Sequence, residues 1–411
     1  MEMRTIHIGD LGDIKTGSTP LKKNPDNYGE YALWIKPTDI NPEEKYTRVV
    51  EEMFSEKAAN DCRSRLIPAK SICVPCIGTV GTKLTMTPCD CFVNQSINAV
   101  IPNDDYDNDY VYYLLLNFLP NLKSINKGTA SGREYIAKSA FENIEIKVHS
   151  DIKVQRIIGK ILSAYDDMID NCKKQIALLE EAAQRLYREW FVELRFPGHA
   201  TTPIGDNGYP TGWRETKLDD ITSKFATGLN PRKNFVLGKG ENYYVTIKNL
   251  TQTYVVLDDK CDKVDDEALL KINRRSDLKA GDLLFSGIGT IGRVALVPDT
   301  PTNWNISESL FTLRPNDLVS SEYLYLLLLD SGVQGYAQAN SQGSAQKGIR
   351  MAALKAYSFM LPSNRILKLF DNLIKPYIES LKVNHKMLNY YTEARSHLLP
   401  RLISGHIEIN A

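Results

Sequence analysis

Phe285-Ser286-Gly287-Ile288-Gly289-Thr290-Ile291-Gly292-Arg293-Val294, FSGIGTIGRV, places G-x-G-x-x-G directly after an apolar run. That spacing lets a Rossmann domain cradle a dinucleotide pyrophosphate, and it raises the alternative of a nucleotide-dependent oxidoreductase using Gly287 to Gly292. Such a site needs a helix to open at the glycines, so that its first amides point at the phosphates. After the last glycine, however, the chain continues as Arg293-Val294-Ala295-Leu296-Val297-Pro298, alternating and β-branched, and then turns at Asp299-Thr300-Pro301. The stretch predicts a hairpin: strand, glycine loop, strand.

The loop occurs twice. Cys76-Ile77-Gly78-Thr79-Val80-Gly81-Thr82-Lys83 repeats it 211 residues earlier, with Cys76 in place of the first glycine, which breaks the dinucleotide pattern. The shared Ile-Gly-Thr-(Val/Ile)-Gly fits a tight turn that needs glycine dihedrals and a close backbone approach. The flanks then align as an internal repeat. Thr16-Gly17-Ser18-Thr19-Pro20 answers Thr227-Gly228-Leu229-Asn230-Pro231, and Trp34-Ile35 with Asp39-Ile40 answers Tyr244-Val245 with Asn249-Leu250. Ile101-Pro102-Asn103-Asp104 answers Arg314-Pro315-Asn316-Asp317, Tyr110 to Leu115 answers Tyr323 to Leu328, and Ser131 to Ser150 runs in step with Ser344 to Ser363. The tyrosine runs read as core.

Each copy ends in a long helical pattern. Ile158, Leu162, Tyr165, Ile169, Cys172, Ile176, Leu179, Ala183, Leu186 and Trp190 alternate spacings of four and three, the period of a coiled-coil seam. Ser150 is the expected N-cap, and Phe196-Pro197-Gly198 the stop, which makes a rod of roughly 60 Å. Leu367, Phe370, Ile374, Tyr377, Leu381, Leu388, Tyr391, Leu398 and Leu402 continue the rhythm, interrupted by Asn384 and Arg395, with a kink expected at Pro376. The expected fold is α+β: two similar α/β modules and two long antiparallel coiled-coil helices, with a pseudo-twofold internal repeat. The expected division is 1–149 first module, 150–198 central helix, 199–362 second module and 363–411 C-terminal helix. Two rods of fixed length would hold two modules at a set separation; a purely structural coiled-coil adaptor is the other reading of the same seam.

Composition narrows the function. At 411 residues, 43% hydrophobic and 24% charged, the chain has ample core for two domains, and it shows no long apolar run or signal-peptide pattern, so a cytoplasmic location is expected. Cys73, Cys76, Cys89 and Cys91 raise a zinc site, but their spacing is irregular, and Leu284 and Gly287 stand where Cys73 and Cys76 would be in the second copy. The six histidines are scattered. No phosphate loop, methyltransferase tetrad, G-x-S-x-G or HExxH is present, so no catalysis by this chain alone is expected.

Two globular modules carrying Gly-Thr-x-Gly hairpins, each followed by a long helix, resemble the specificity subunit of Type I restriction-modification systems. Leu178 to Phe191, LLEEAAQRLYREWF, with Phe196-Pro197-Gly198-His199, is similar to that family's central spacer, and Leu398 to Gly405, LLPRLISG, to its C-terminal ending. The resemblance covers essentially the whole chain. It implies two target-recognition domains, each reading half of a bipartite sequence in double-stranded DNA. It also implies partners: two methyltransferase (modification) subunits that methylate adenine, and restriction subunits. S-adenosylmethionine, ATP and Mg would belong to those partners, with no cofactor in this chain. A Type IIB-like system is left open.

The 50 basic and 50 acidic residues balance, unlike most chains that bind duplex alone, so the partners would supply part of the positive charge. Candidate DNA-reading residues are donor-rich side chains in loops at equivalent places of the two copies. They are Thr16, Ser18, Lys22, Lys36, Lys83, Gln95 and Arg133 in the first, and Asn230, Arg232, Lys233, Lys248, Arg293, Gln346 and Lys347 in the second.

Overall fold

The computed structural model describes residues 2–21, 23–125, 134–251, 253–258, 260–343 and 347–409. The chain divides into two compact units, one of Met1–Asn171 with Met387–Ala411 and one of Cys172–Lys386.

In the first unit the main elements are β1 (Met3–His7), β2 (Gly12–Thr16), β3 (Ala32–Ile35), β4 (Ile72–Pro75), β5 (Thr85–Met86), β6 (Phe92–Val93), β7 (Ile97–Pro102), α1 (Asn108–Ile125), β8 (Glu145–His149) and α2 (Ile152–Tyr187). Strands β2, β7, β4 and β5 form an antiparallel sheet in that order, while β3 and β6 pair in parallel in a second sheet. Over residues 110–115 helix α1 is apolar and buried on every face, while Pro120, Asn121, Lys123, Ser124 and Ile125 at its end are exposed. Its tyrosines Tyr110, Tyr112 and Tyr113 lie in the core with Ile72, Val74, Val100 and Ile158 and Leu162 of α2. Each such side chain contributes roughly 1.5–3 kcal/mol on removal from water.

The second unit repeats the plan with β9 (Arg214–Lys217), β10 (Thr222–Thr227), β11 (Asn242–Val245), β12 (Leu283–Ser286), β13 (Val294–Leu296), β14 (Trp304–Ile306), β15 (Leu310–Pro315), α3 (Ser321–Leu329), α4 (Ser331–Ala339), β16 (Ser358–Leu361) and α5 (Asn364–Ile403). Its four-stranded sheet runs β10, β15, β12, β13, and β11 pairs in parallel with β14. FSGIGTIGRV is therefore the connection of the antiparallel hairpin β12–β13. A strand, not a helix, comes after Gly292, so no helix N-terminus faces a pyrophosphate there, and the oxidoreductase alternative fails on geometry.

The long helices follow the predicted seam with shifts of phase. Ile158, Leu162, Ile169, Cys172, Ile176, Ala183 and Trp190 are buried, as are Leu367, Phe370, Ile374, Leu381, Leu388 and Leu402. Two expected positions give way to their neighbours: Tyr187 is buried where Leu186 was expected, and Ile378 where Tyr377 was, Tyr377 being 38% exposed. A 3.6-residue helix drifts by about 20° per heptad against a 3.5 repeat, enough to hand a seam position on. The N-cap of α2 is Asp151 instead of Ser150. The Asp151 carboxylate accepts from Lys153 N at 2.8 Å, whereas the Ser150 amide is held by Glu2 O at 3.1 Å beside β1. Helix α2 ends in a wider π-turn over Arg188–Val192, and α5 continues through Pro376.

In the first unit α2 and α5 run antiparallel: His149 meets Leu402, while Tyr165 packs on Tyr391 and Asp166 pairs with Arg395. The Tyr113 hydroxyl also donates to Asp166, so the arginine that interrupts the seam neutralises a buried carboxylate. Lys45, buried, donates to Asp109 at 2.5 Å and Ser163 at 2.7 Å, and Arg48 lies 3.8 Å from Asp170. In the second unit the equivalent loop uses other chemistry. Thr253 hydrogen-bonds Glu180 of α2, whose carboxyl is pushed up by burial, and the Tyr254 ring lies 4.1 Å from that of His385 on α5. Elsewhere along the same helices, Phe370 is surrounded by Tyr187, Trp190 and Phe191.

Candidate nucleic-acid interface

Four segments meet at one end of each unit. The first is the glycine hairpin. Gly78 and Gly81 take φ of 80° and 69°, and Gly289 and Gly292 take 84° and 95°, the left-handed region that glycine alone enters freely. A side chain at Gly81 would put its Cβ 2.7 Å from Leu119 O, and one at Gly292 would strike Gln334, whose amide donates to Gly292 O at 2.9 Å. The hairpin is bonded to the segment before β8 or β16 in the same way twice: Gly78 N donates to Glu134 O at 2.9 Å, and Gly289 N to Lys347 O at 2.9 Å.

The second segment leaves β2 or β10. Gly17 and Gly228 press so close to the neighbouring turn that a Cβ would lie 2.0 Å from Val93 O and 1.8 Å from Ile306 O respectively. The third is the 3-10 turn after β3 or β11. Asp39 accepts from Lys36 N at 2.8 Å, and Asn249 from Thr246 N at 3.0 Å, so each turn is closed by its third residue. The fourth is the turn Asn94 to Ile97 or Ser307 to Leu310, pinned by Asn94 N to Ile35 O and by Ser307 N to Val245 O, at 2.9 and 2.8 Å.

Basic side chains bind the hairpin to the 3-10 turn. Lys83 Nζ donates to Ile40 O at 3.3 Å; Arg293 Nη1 donates to Leu250 O, the equivalent carbonyl, and to Ile247 O at 3.1 Å. Both residues are candidates whose charged ends the chain itself already holds. Lys36 is likewise engaged, by Glu51 at 2.7 Å and Glu52 at 2.9 Å, beneath the Trp34 ring. Thr16 donates to Asn98 at 2.8 Å, Ser18 lies 3.8 Å from Cys62 Sγ, and Asn230 donates to Glu308 at 2.6 Å. Gln95, Arg232, Lys233, Lys248 and Lys347 are exposed on these loops. Lys22, Arg133 and Gln346 lie outside the described residues.

Glu308 was missed from sequence because a carboxylate does not suggest a DNA surface. The signal that could have found it was its place opposite Gln95 in the repeat.

The Cys73 and Cys76 thiols are pushed up to about 12 by burial, away from the thiolate form that binds metal. Among the described residues no group of three or more His, Cys, Asp or Glu is arranged to hold a metal ion. Among them, too, no helix is long and apolar enough to cross a membrane.

The model of the Type I restriction modification DNA specificity domain matches residues 1–181 and again 210–387. The MjaIX Type I restriction enzyme specificity subunit of Methanocaldococcus jannaschii is 25% identical over 410 residues, 98% of this chain and 93% of that protein. The HindI specificity subunit of Haemophilus influenzae is 33% identical over 176 residues, 42% of this chain and 38% of its own. The crystal structure of the Type I restriction-modification S subunit from M. genitalium shares the fold, with a TM-score of 0.61, 16% identity and coverage of 100% of this chain and 97% of that one. With a specificity-domain match in each copy of its repeat, the chain belongs to the Type I restriction-modification DNA specificity family.

Proposed function

We propose that each compact unit reads one half of a bipartite DNA sequence, and that the chain directs adenine methylation or restriction by partner subunits without catalysing either itself. The observation that supports this reading best is the duplicated loop cluster: one backbone frame, with several of its main-chain bonds repeated, carrying different polar side chains. Two methyltransferase subunits, carrying S-adenosylmethionine, fit a chain with two equivalent modules; ATP and Mg belong with the restriction subunits. The test is long-read methylation mapping in cells that express the chain with its methyltransferase partner. A split motif that appears only when this chain is present supports the reading, and methylation independent of it contradicts it.

Helices α2 and α5 each contribute to both compact units. An insertion of four residues between Lys173 and Ile176 adds about 6 Å of helix. At about 3.4 Å per base pair, the unspecified spacer should lengthen by at most roughly two pairs with both halves unchanged. An unaltered spacer in a working mutant would remove the helices as its ruler.

A further inference from the structure

The turn between β6 and β7 and its counterpart between β14 and β15 are superimposable in their bonding. Ile97 N donates to Asn94 O and Leu310 N to Ser307 O; Cys76 N donates to Ser96 O and Gly287 N to Ser309 O. The aromatic side chain behind each turn also makes the same bond: Trp34 Nε1 donates to Ser18 O at 3.1 Å, and the Tyr244 hydroxyl lies 2.8 Å from Leu229 O. On this shared frame the side chain at the turn tip changes from neutral to acidic. Gln95 stands at the tip in the first unit, and Glu308 in the second.

Glu308 is held from two sides. Asn230 Nδ2 donates to its Oε1 at 2.6 Å, and on the other side stands the Tyr244 hydroxyl, whose single proton is shared between Leu229 O at 2.8 Å and Glu308 Oε2 at 3.1 Å. The carboxylate is thus oriented while keeping lone pairs unspent, since two oxygens offer about four acceptor sites. A carboxylate repels phosphate, so a phosphate role is not what this residue serves. An acceptor-only group on a DNA-reading loop matches the N4 amine of cytosine, whereas the acceptor-donor pair of a glutamine matches adenine N6 and N7.

Resting on the reading of each unit as a half-site reader, we infer that this turn tip is a base-specifying position used twice. Glu308 selects a G·C pair in the second half-sequence and Gln95 an A·T pair in the first. Asn230 and Tyr244 are positioning residues for Glu308.

The test is a pair of reciprocal swaps, Glu308→Gln and Gln95→Glu, each in the full chain with its methyltransferase partner, with the methylated motif mapped genome-wide. Glu308→Gln should turn one G·C position of the second half toward A·T, moving discrimination there about 5- to 150-fold, the range that one good base contact supplies. Gln95→Glu should do the reverse at one position of the first half. Each swap should leave the other half untouched. Motifs unchanged in both swaps, or a change confined to an A·T position for Glu308→Gln, overturn the inference. Both substitutions keep side-chain size and can keep the hydrogen bonds described, so folding is expected to survive; Tyr244→Phe, which removes only the hydroxyl, should broaden the same second-half position. A wild-type complex that methylates without any sequence preference would instead defeat the half-site reading itself.

Discussion

The two units build the same junction, between the loop that follows the 3-10 turn and the long helices, from different materials. In the first, permanent charges are packed inside: Lys45 on Asp109, and Arg395 with the Tyr113 hydroxyl on Asp166. In the second, the equivalent loop leans on the Glu180 carboxyl, raised by burial and hydrogen-bonded by Thr253, and on the His385 imidazole, lowered by burial and packed against Tyr254. What both retain is main-chain bonding and the close glycine approaches. The repeat therefore preserves a backbone frame and leaves side chains to diverge.

The contrast is broken most severely at Arg395. Arg395→Met should destabilise the first unit by about 3 kcal/mol, because Asp166 is left buried without its counter-charge. The double variant Asp166→Leu with Arg395→Met should recover much of that loss. Denaturant unfolding of the two single variants and the double measures this; a double-variant loss equal to the sum of the single losses would mean that the pair is not coupled.

The second junction should respond to acid instead. Burial lowers the His385 imidazole to about 4, below its ordinary value near 6.5. The unfolded chain thus takes up a proton first as pH falls from about 6.5 toward 4, and stability drops by up to about 1.4 kcal/mol per pH unit from this group. Glu180, raised by burial, has the opposite sign: the folded form takes up its proton first, which favours folding on the acid side. His385→Asn should abolish the loss specific to the second unit, read as the pH dependence of its unfolding midpoint relative to wild type.

The loop ties give a milder asymmetry. Arg293→Ala removes donors to two carbonyls and should cost about 1.5–3 kcal/mol, while Lys83→Ala removes one longer bond and should cost about 0.5–1.5 kcal/mol. Because Arg293 secures the turn carrying Lys248, its loss should blur several positions of the second half-sequence, not one. Relaxation at a single G·C pair would make it a base contact after all. Smallest of all, Lys248→Ala and Lys347→Ala, both at exposed positions, should leave stability within about 0.5 kcal/mol. They should weaken DNA binding evenly and lower the salt slope by about one unit each if they meet phosphates.

The repeat, the glycine hairpin and the buried tyrosine helices were legible because each imposes a local pattern: positive φ at Gly78 and Gly289, and an unbroken apolar run over residues 110–115 of α1. Partnerships between distant residues were not. Lys45 and Arg395 look like solvated charges in sequence and are internal only because residues 64 and 229 positions away supply carboxylates. Arg293 and Lys83 looked free to meet DNA for the same reason. Tyr377 and Ile378 differ by one position, which heptad counting cannot resolve once an α-helix has drifted through several turns.

The central claim is that each unit reads its own half-sequence on a shared frame. Exchanging residues 1–149 for the equivalent module of another family member, and mapping methylation genome-wide with the methyltransferase partner, tests it most directly. The account predicts that one half of the motif changes while the other half and the spacer stay as they were. A folded, active chimera whose motif changes in both halves would contradict it.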